Sequence, residues 1–418
     1  MFPGILFYKL FLWLYSAGAK ILSLFNRKAK LWVNGRKHIF KQLRHAFAAN
    51  TSPVAWFHCA SLGEFEQGRP LIEKLKKDYP HYRILVTFFS PSGYEVRKNY
   101  NQADWVFYLP LDGRRHARKF LKITKPSIVF FIKYEFWHYY LQEIHRAETP
   151  LFLVSGLFRA SQPFFKWYGG LNRKTLSYFT HFFVQKKSSE DLLHTIGIEN
   201  VTVTGDTRFD RVLATKNNWS AVDKIAAFCG NKKVFVAGST WEADDLVIKH
   251  FAKVHPEMRF IIAPHEVEKD RIEECLKIYE HAVAYANYDP QDKQTGVNVL
   301  VIDNIGMLSR LYNYAHISYV GGAFGDDGIH NVLEPLVFGS PVVFGPAYEK
   351  FPEAVDLVER GIGFPVENAL EFEQTMDRLL SDDALISRVK SAAGIYVQEN
   401  IGATEKIFSS IEKYFTHA

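Results

Sequence analysis

The sequence predicts an α/β protein with two doubly wound, Rossmann-like domains. At 418 residues, the chain is longer than one hydrophobic core usually supports. From residue 54 onward, short apolar runs alternate with amphipathic stretches, which is the pattern of parallel βαβ units. This alternation forms two series, separated by a polar stretch near residues 205–220. A hydrophobic content of 47% with 23% charged residues is typical of a folded globular protein.

The first series predicts an N-terminal domain over residues 46–208, with strands and helices in alternation. Strands are expected at 54–59, 83–89, 128–132, 151–154 and 181–185. Helices are expected at 64–77, 114–122, 135–146 and 187–196. Because parallel strands end at one edge of a sheet, polar residues that follow these runs are candidates for a site.

The second series predicts a C-terminal domain over residues 209–418. Strands are expected at 234–237, 259–263, 299–302, 317–320 and 341–344. The last helical stretch, 371–414, is long enough to pack back on the N-terminal domain. We expect ligands in a cleft between the carboxyl ends of the strands of the two domains.

Residues 1–45 form a third segment, which is apolar at first and then basic. Lys9 and Lys20 interrupt the apolar part, and the longest uninterrupted stretch, 10–19, has ten residues. A membrane span needs about 20 apolar residues, so we predict an anchor helix that lies in the headgroup region. A single tilted span and a signal peptide are the alternatives. Glu64 is the first acidic residue of the chain, so the whole region before it is cationic.

A second acid-free stretch, from 149 to 189, combines basic and aromatic residues. A nucleic acid, an anionic membrane surface and a solvated face each explain such a patch. The three cysteines are odd in number and far apart, which fits a reducing compartment rather than a disulfide framework. No Cys/His cluster has zinc spacing, and the adjacent Asp326 and Asp327 are weak evidence for a cation, so we expect no metal.

Three strand-to-helix junctions share the spacing of an N-terminal capping box. The pairs are Ser61 with Glu64, Ser239 with Glu242, and Asn331 with Glu334. Such a junction presents free backbone N–H groups and a partial positive charge, which suit an anion. Ordinary capping explains any one of them, but three at matching places in the topology favour a ligand.

The second domain carries the groups expected at a nucleotide site. Gly238-Ser239-Thr240 offers hydroxyls and amides to a phosphate, and the glycines within 321–328 allow close approach of the backbone. Neither stretch matches a GxGxxG dinucleotide motif or a P-loop. Asn331 and Glu334 lie one helical turn apart, where they are expected to hold a ribose diol.

Three further positions stand at strand ends or at the hinge. His265 ends a strand, where a nucleotide contact and a surface role are both open. Glu135 follows a strand, where most glutamates are ordinary first-turn helix residues. Arg208 lies at the predicted hinge, where its guanidinium would meet a phosphate or a neighbouring carboxylate, Asp206 or Asp210.

Together these stretches resemble the 3-deoxy-D-manno-octulosonic acid (Kdo) transferases of lipid A biosynthesis. The likeness lies in HCASLGEFEQGRPLI, TFFSPSGYE, YEFWHYYL, TGDTRFD, GSTWEAD and YVGGAFGDDGIHNVLEPLVFGSPVVFGP, which occur in family order between residues 54 and 350. The glycine-rich block alone would indicate only a nucleotide-sugar glycosyltransferase, whereas ASLGEFEQ makes the match specific. The resemblance implies a GT-B glycosyltransferase that inverts the anomeric centre and uses neither a metal nor another cofactor.

The resemblance also implies substrates and roles. The donor would be CMP-Kdo, the acceptor the acylated glucosamine disaccharide bisphosphate precursor of lipid A, and the location the cytoplasmic face of the inner membrane, with no nucleic acid partner. Glu64 corresponds to the general base, and Glu135 and Arg208 to groups that stabilise the transition state. The CMP site would comprise Pro264, His265, Ile305, Gly306, Met307, Asn331, Val332, Leu333 and Glu334, beside Ser239 and Thr240.

The chain departs from the family pattern near the donor site. Glu266 follows His265 where relatives carry a Pro-Arg-His-Pro stretch, Met307 replaces an acidic residue, and Arg208 replaces a lysine. Two other readings stay open: a GT-B transferase that uses a UDP-sugar on another lipid-linked acceptor, and a membrane-bound scaffold for nucleic acid. At the start of a helix, the pKa of Glu64 is expected to be lowered.

Overall fold

The computed structural model describes residues 3–291, 296–325 and 328–415. The chain forms two compact units, one comprising 1–211 with 401–418 and the other 212–400. Each unit contains a seven-stranded sheet in which every pair of neighbouring strands is parallel. The predicted pair of doubly wound α/β sheets is therefore confirmed.

The first sheet has the strand order β3-β2-β1-β4-β5-β6-β7. Its strands are β1 Val54–Cys59, β2 Arg83–Phe88, β3 Trp105–Tyr108, β4 Pro126–Ile132, β5 Leu151–Gly156, β6 His181–Val184 and β7 Val201–Val203. The second sheet has the order β10-β11-β9-β8-β12-β13-β14. Its strands are β8 Val234–Thr240, β9 Arg259–Pro264, β10 Ala282–Ala284, β11 Val299–Val301, β12 Ile317–Val320, β13 Val342–Phe344 and β14 Gly363–Pro365.

Helices cover both faces of each sheet, as crossover connections between parallel strands require. In chain order they are α1 Pro3–Leu22, α2 Arg27–Asn34, α3 Ile39–Ala46, α4 Leu62–Asp78, α5 Pro91–Arg97, α6 Arg114–Thr124, α7 His138–Arg146, α8 Gly170–Leu176, α9 Lys187–His194, α10 Arg208–Asn217, α11 Asp223–Cys229, α12 Glu242–Val254, α13 Lys269–Ile278, α14 Leu308–Leu311, α15 Leu333–Leu336, α16 Pro352–Glu359, α17 Ala369–Ser381, α18 Asp383–Asn400 and α19 Ala403–Ile411.

Alternate side chains of β1 enter the two cores on opposite faces of the first sheet. Val54 and Trp56 pack into one hydrophobic cluster, whereas Phe57 and Cys59 pack into the other. Because successive strand residues point to opposite faces, a strand that is buried throughout anchors both cores. The loop at the carboxyl end of β1, which leads into α4, therefore has a fixed position.

The last helix, α19, completes the first unit. Ile407 and Phe408 pack into the same core as Phe57. The carboxylate of Asp210 accepts hydrogen bonds from the backbone N–H groups of Gly402 (2.6 Å) and Thr404 (2.7 Å). This is a helix N-cap supplied from a distant part of the chain, and it satisfies N–H groups that the helix cannot pair itself.

The first helix, α1, presents an apolar surface to the outside of the first unit. Among the described residues, its Gly4–Leu22 segment is the one helix long and apolar enough to cross a membrane, with a mean hydropathy of 1.4 and 6% of its residues buried. Leu6 and Trp13 are each 66% exposed. An apolar patch of this kind marks a surface that contacts lipid or protein.

Candidate active site

Two adjacent strand ends bring Glu64 and Glu135 into one site in the first unit. Glu64 lies in the first turn of α4, directly after β1, and Glu135 follows β4, which pairs with β1. The negative charge of Glu135 acts directly on the Glu64 carboxylate. Glu135 was expected in the first turn of a helix, but α7 begins only at His138, so Glu135 lies in the irregular segment between β4 and α7.

Half of the predicted capping box forms at the start of α4. Ser61 occupies the N-cap position, but its side chain makes no capping hydrogen bond. The Glu64 carboxylate does accept hydrogen bonds from the backbone N–H groups of Ala60 and Ser61. Glu64 therefore caps the helix through its own carboxylate, and this role fixes the position of that carboxylate at the strand end.

The expectation that the helix start lowers the pKa of Glu64 is wrong. Glu64 is only 9% exposed, and burial together with the nearby charge of Glu135 raises its pKa to about 8. The hydrogen bonds from Ala60 and Ser61 and the charge of Lys133 oppose this shift without cancelling it. The ionised form of Glu64 is consequently a much stronger base than an ordinary carboxylate, and its population grows as the pH rises toward 8.

Glu135 is held by two ring donors. His58 Nε2 lies 3.1 Å from Glu135 Oε2, and Trp137 Nε1 donates to the same oxygen. His58 is fully buried, with its Nδ1 2.9 Å from Thr87 Oγ1, which in turn accepts from Trp56 Nε1 at 2.8 Å. Because an ionised carboxylate can only accept, we assign the ring proton of His58 to Nε2, with Nδ1 accepting from the Thr87 hydroxyl. This places an N–H donor against the Glu135 carboxylate.

Arg208 forms the salt bridge that was the alternative to a phosphate contact. Its Nε and Nη2 donate to Asp206 Oδ2 at 2.9 and 2.7 Å. Burial would raise the pKa of Asp206, but the charge and hydrogen bonds of Arg208 outweigh it and hold that pKa below its usual value. Gln67 and Gln185 also donate to Asp206, at 3.4 and 3.2 Å. The Arg208 guanidinium is thus oriented by a buried, ionised carboxylate.

In the second unit, the capping pair differs from the predicted Ser239 with Glu242. The N-cap of α12 is Trp241, and its backbone N–H donates to Asp244 at 2.8 Å. Ser239 lies in the last residues of β8 with φ +56°, a left-handed conformation that few side chains adopt. The strand runs three residues further than the sequence pattern indicates, which moves the helix start beyond Ser239.

Asp244 also fastens the glycine-rich loop that follows β12. Its carboxylate accepts from the Tyr319 hydroxyl at 2.7 Å and from the backbone N–H of Gly322 at 3.0 Å. Gly322 has φ +96°, and a Cβ there would lie 2.6 Å from the carbonyl oxygen of Gly328. Glycine is therefore required at this position by the packing of the loop itself.

Three rings stack where β8, β9 and the glycine-rich loop end. The His265 and His330 rings are 4.4 Å apart at an angle of 13°, and the Trp241 ring lies 4.8 Å from His265. Trp241 Nε1 donates to His330 Nε2 at 3.2 Å. The sequence pointed to His265 but not to Trp241 or His330, although both also stand directly after a strand or glycine turn. The three rings form a platform on which His265 is exposed.

The remaining predicted donor residues lie around short turns. Asn331 donates to Glu334 at 3.1 Å and accepts from the backbone of Leu333 at 3.2 Å, which holds both polar side chains at the start of α15. Val332 and Leu333 are fully buried, so only their backbone groups are available to a ligand. Thr240 and Pro264 are also buried, whereas Ser239 is half-buried.

The turn between β11 and α14 contains Ile305, Gly306 and Met307. Ile305 is 82% exposed, Gly306 has φ +91°, and Met307 is the residue that precedes the helix. Within the ranges that the structure describes, no group of three His, Cys, Asp or Glu side chains is arranged to hold a metal ion. Asp326 and Asp327 lie outside those ranges.

Comparison with known families identifies the first unit. Residues 36–211 match the family model described as 3-Deoxy-D-manno-octulosonic-acid transferase (kdotransferase). This part of the chain is therefore similar to the Kdo transferases. Members of this family are glycosyltransferases, which is the enzyme class that the sequence predicts.

Curated Kdo transferases align with most of the chain. The enzyme of Aquifex aeolicus is 27% identical over 79% of this chain and 87% of its own length. That of Haemophilus influenzae is 26% identical over 89% of this chain and 90% of its own length. A bifunctional glycosyltransferase/methyltransferase of Fusobacterium nucleatum is 28% identical over 78% of this chain, which spans only 52% of that longer protein.

Solved structures with the same fold include two sugar-nucleotide enzymes. The UDP-GlcNAc 2-epimerase of Neisseria meningitidis has a TM-score of 0.59 at 17% identity, over 86% of this chain and all (100%) of the other. The putative UDP-N-acetylglucosamine 2-epimerase of Listeria monocytogenes also has a TM-score of 0.59, at 12% identity over 87% and 97% of the two chains. These likenesses show the fold alone, and they confirm the predicted GT-B architecture.

Proposed function

We propose that the protein transfers Kdo from CMP-Kdo to a hydroxyl of the acylated glucosamine disaccharide bisphosphate precursor of lipid A, with Glu64 as the general base. The observation that carries the proposal is the Glu64 carboxylate, buried beside Glu135 with a pKa of about 8. A sugar hydroxyl is a weak nucleophile and needs a base whose pKa lies near the working pH. The similarity to Kdo transferases supports the proposed donor and acceptor classes.

The proposed transfer is a single displacement. The acceptor oxygen forms a bond to the anomeric carbon of Kdo, and its proton passes to the Glu64 carboxylate. The bond from that carbon to the phosphate oxygen of CMP breaks, and CMP leaves with the electron pair. Glu135, kept as an acceptor by His58 and Trp137, would stabilise positive charge on the sugar ring, and Arg208 would stabilise the leaving phosphate.

We assign the nucleotide to the second unit. Asn331 and Glu334 would hold the ribose hydroxyls, since a carboxylate oxygen can accept from a diol. Ser239, Thr240 and the start of α12 would meet the phosphate through hydroxyls and backbone N–H groups. The proposal requires no metal, because the donor's leaving group is a nucleoside monophosphate that fixed donors can stabilise.

We further propose that α1 holds the protein at the cytoplasmic face of the inner membrane. Its outward face is apolar and aromatic, with Phe7 70% exposed and Phe25, just beyond its end, 86% exposed. Basic residues follow directly in α2. An apolar, aromatic face followed by cations is typical of a helix that lies in a membrane interface.

CMP is expected to protect the protein from thermal unfolding more strongly than UDP. At about 100 times its Kd, a ligand contributes about 2.7 kcal/mol, which corresponds to a rise in Tm of roughly 5–10 °C for a unit of this size. Calorimetry with each nucleotide measures the effect, and Glu334→Gln should reduce it while the exposed Glu349→Gln should not. A larger shift with UDP than with CMP would favour a UDP-sugar transferase instead.

Thr87→Val is expected to lower kcat about tenfold, whereas Thr87→Ser retains most activity. Without the hydroxyl, His58 Nδ1 faces only the backbone oxygen of residue 87, 3.2 Å away, which accepts and does not donate. The ring proton should then move to Nδ1 and leave Nε2 as an acceptor against Glu135. Kinetics of both variants, with ¹⁵N NMR of the His58 tautomer, test this. Equal activity in the two variants, with Nε2 still protonated, would contradict the assigned tautomer.

A further inference from the structure

A cavity of about 540 Å³ lies in the first unit between α1, the start of α6 and one side of α7. Its wall includes Lys9 of α1, Arg114 and Arg115 of α6, and Arg146 of α7. Neither Glu64 nor Glu135 takes part in it. The cavity is therefore separate from the carboxylate site.

The carboxylate in the wall of the cavity, Asp112, forms no ion pair with these cations. Asp112 accepts from the Tyr8 hydroxyl at 2.6 Å and from the backbone N–H groups of Tyr139 and Tyr140 at 3.0 and 3.2 Å. These are neutral donors, and they occupy both oxygens. Asp112 thus joins α1 to α7 rather than pairing with an arginine.

A second carboxylate nearby, Glu143, is shared among three arginines. It lies 2.9 Å from Arg118, 2.7 Å from Arg146 and 3.7 Å from Arg114. With Lys9 and Arg115, five cationic side chains stand against the two carboxylates Asp112 and Glu143. The cavity region therefore carries an excess of positive charge that suits an anion.

The position of two of these arginines is unfavourable for the helix itself. Arg114 and Arg115 are the first two residues of α6, where the helix macrodipole disfavours cations. An arrangement that costs helix stability is expected where the charges serve a ligand. Arginine is also the side chain best shaped to bind phosphate oxygens in pairs.

The helix that contributes Lys9 to the cavity also supplies the exposed apolar surface. Leu6 and Leu10, which flank this region of α1, are 66% and 51% exposed. In the same unit, Trp167 is 91% exposed, and the groove between α1 and α8 is lined by Phe7, Phe11 and Tyr168. An amphiphile could place its phosphate in the cationic cavity while its apolar chains lie along the exposed face of α1.

We propose that this cavity binds the phosphate headgroup of an anionic bilayer phospholipid while the apolar face of α1 lies among the acyl chains. Binding of this kind would fix the orientation of the first unit on the membrane, in addition to holding it there. The proposal does not depend on the transfer reaction, because it concerns attachment to the bilayer without donor or acceptor.

Co-sedimentation of the full-length protein with vesicles tests the proposal. The vesicles contain phosphatidylcholine alone or with phosphatidylglycerol, and the Arg114→Gln/Arg115→Gln double variant is compared with wild type. Two neutralised charges near an anionic surface correspond to roughly 30-fold weaker binding to the phosphatidylglycerol vesicles, with binding to phosphatidylcholine unchanged. The helix should persist, because neutral residues suit its first turn better than arginines do.

The matched control is Lys249→Gln/Lys277→Gln, which removes two exposed charges from the second unit. An equal loss in this control would overturn the proposal in favour of bulk charge, and so would the absence of a preference for phosphatidylglycerol. Displacement by inorganic phosphate, but not by chloride at equal ionic strength, would overturn it in favour of a free-phosphate site. Transfer in detergent should be unchanged in the arginine variant, and a loss there would instead assign the cavity to the acceptor.

Discussion

Glu64→Gln is expected to lower kcat by about 10²- to 10⁴-fold, the contribution usual for a general base. Glutamine keeps a carbonyl oxygen that can accept from the Ala60 N–H, so the start of α4 should be preserved. It has no basic oxygen for the proton of the acceptor hydroxyl. Steady-state kinetics measures the loss, and Glu73→Gln, a change on the exposed side of the same helix, should leave kcat unchanged.

The same substitution has an expected signature in stability. In the wild type, the folded-state pKa of Glu64 is about 8 against a model value of 4.5, so the folded state holds this proton more tightly than the unfolded chain. Stability from this group is therefore fully present below pH 4.5 and is lost as the pH rises through 8. Glutamine removes that dependence, and Glu64→Gln should be more stable than wild type above pH 8.

The pH dependence of the activity is expected to follow the same ionisation of Glu64. Because Glu64 must be ionised to accept a proton, kcat/KM of the wild type is expected to rise with pH, to be half-maximal near pH 8 and to level off above it. The residual activity of Glu64→Gln should not show this rise with pH. If the variant were fully active, or less stable than wild type at high pH, Glu64 would be a helix cap and Glu135 the next candidate for the base.

Asp244→Ala is expected to destabilise the second unit by about 3 kcal/mol or more and to weaken CMP binding. The side chain is 1% exposed and accepts from the Tyr319 hydroxyl and from two backbone N–H groups, those of Trp241 and Gly322. Its removal leaves three buried donors without an acceptor. The glycine-rich loop also loses its tie to the start of α12, which is the proposed phosphate site.

Urea unfolding and CMP titration measure the two effects of Asp244→Ala. Asp244→Asn should cost less than half as much, because its remaining oxygen serves the two backbone N–H groups and the Tyr319 hydroxyl can turn to accept from the amide. Glu242→Gln, at an exposed neighbouring position in the first turn, is the control. If Asp244→Ala and Glu242→Gln unfolded at the same urea concentration, the tie would have no role in stability.

The sequence predicts the interior strands of both sheets and misses the four edges. The missed strands are β3, β7, β10 and β14, which end the two sheets. They have three or four residues, and β7, for example, is only half-buried. An interior strand is buried on both faces and reads as a continuous apolar run, whereas an edge strand has fewer neighbours and a weaker pattern.

In the candidate site, too, residues marked by a local sequence pattern could be predicted, whereas contacts between distant residues could not. Glu64, Glu135 and His265 could be found because each follows a buried run at a strand end. The partner of His58 is Thr87, 29 residues away on the neighbouring strand, and no local pattern connects them. The sign of the Glu64 pKa shift failed for this reason, since a helix-start rule does not include burial or the charge of Glu135.

The central claim is that Glu64 serves as the base in transfer of Kdo from CMP-Kdo to the lipid A precursor. The most direct test is mass spectrometry of the acceptor after incubation with CMP-Kdo generated in situ, for wild type and Glu64→Gln at equal folded concentration. The account predicts a gain of one or more Kdo units with the wild type and none with the variant over the same time. No gain with the wild type, or the same gain with both proteins, would contradict it.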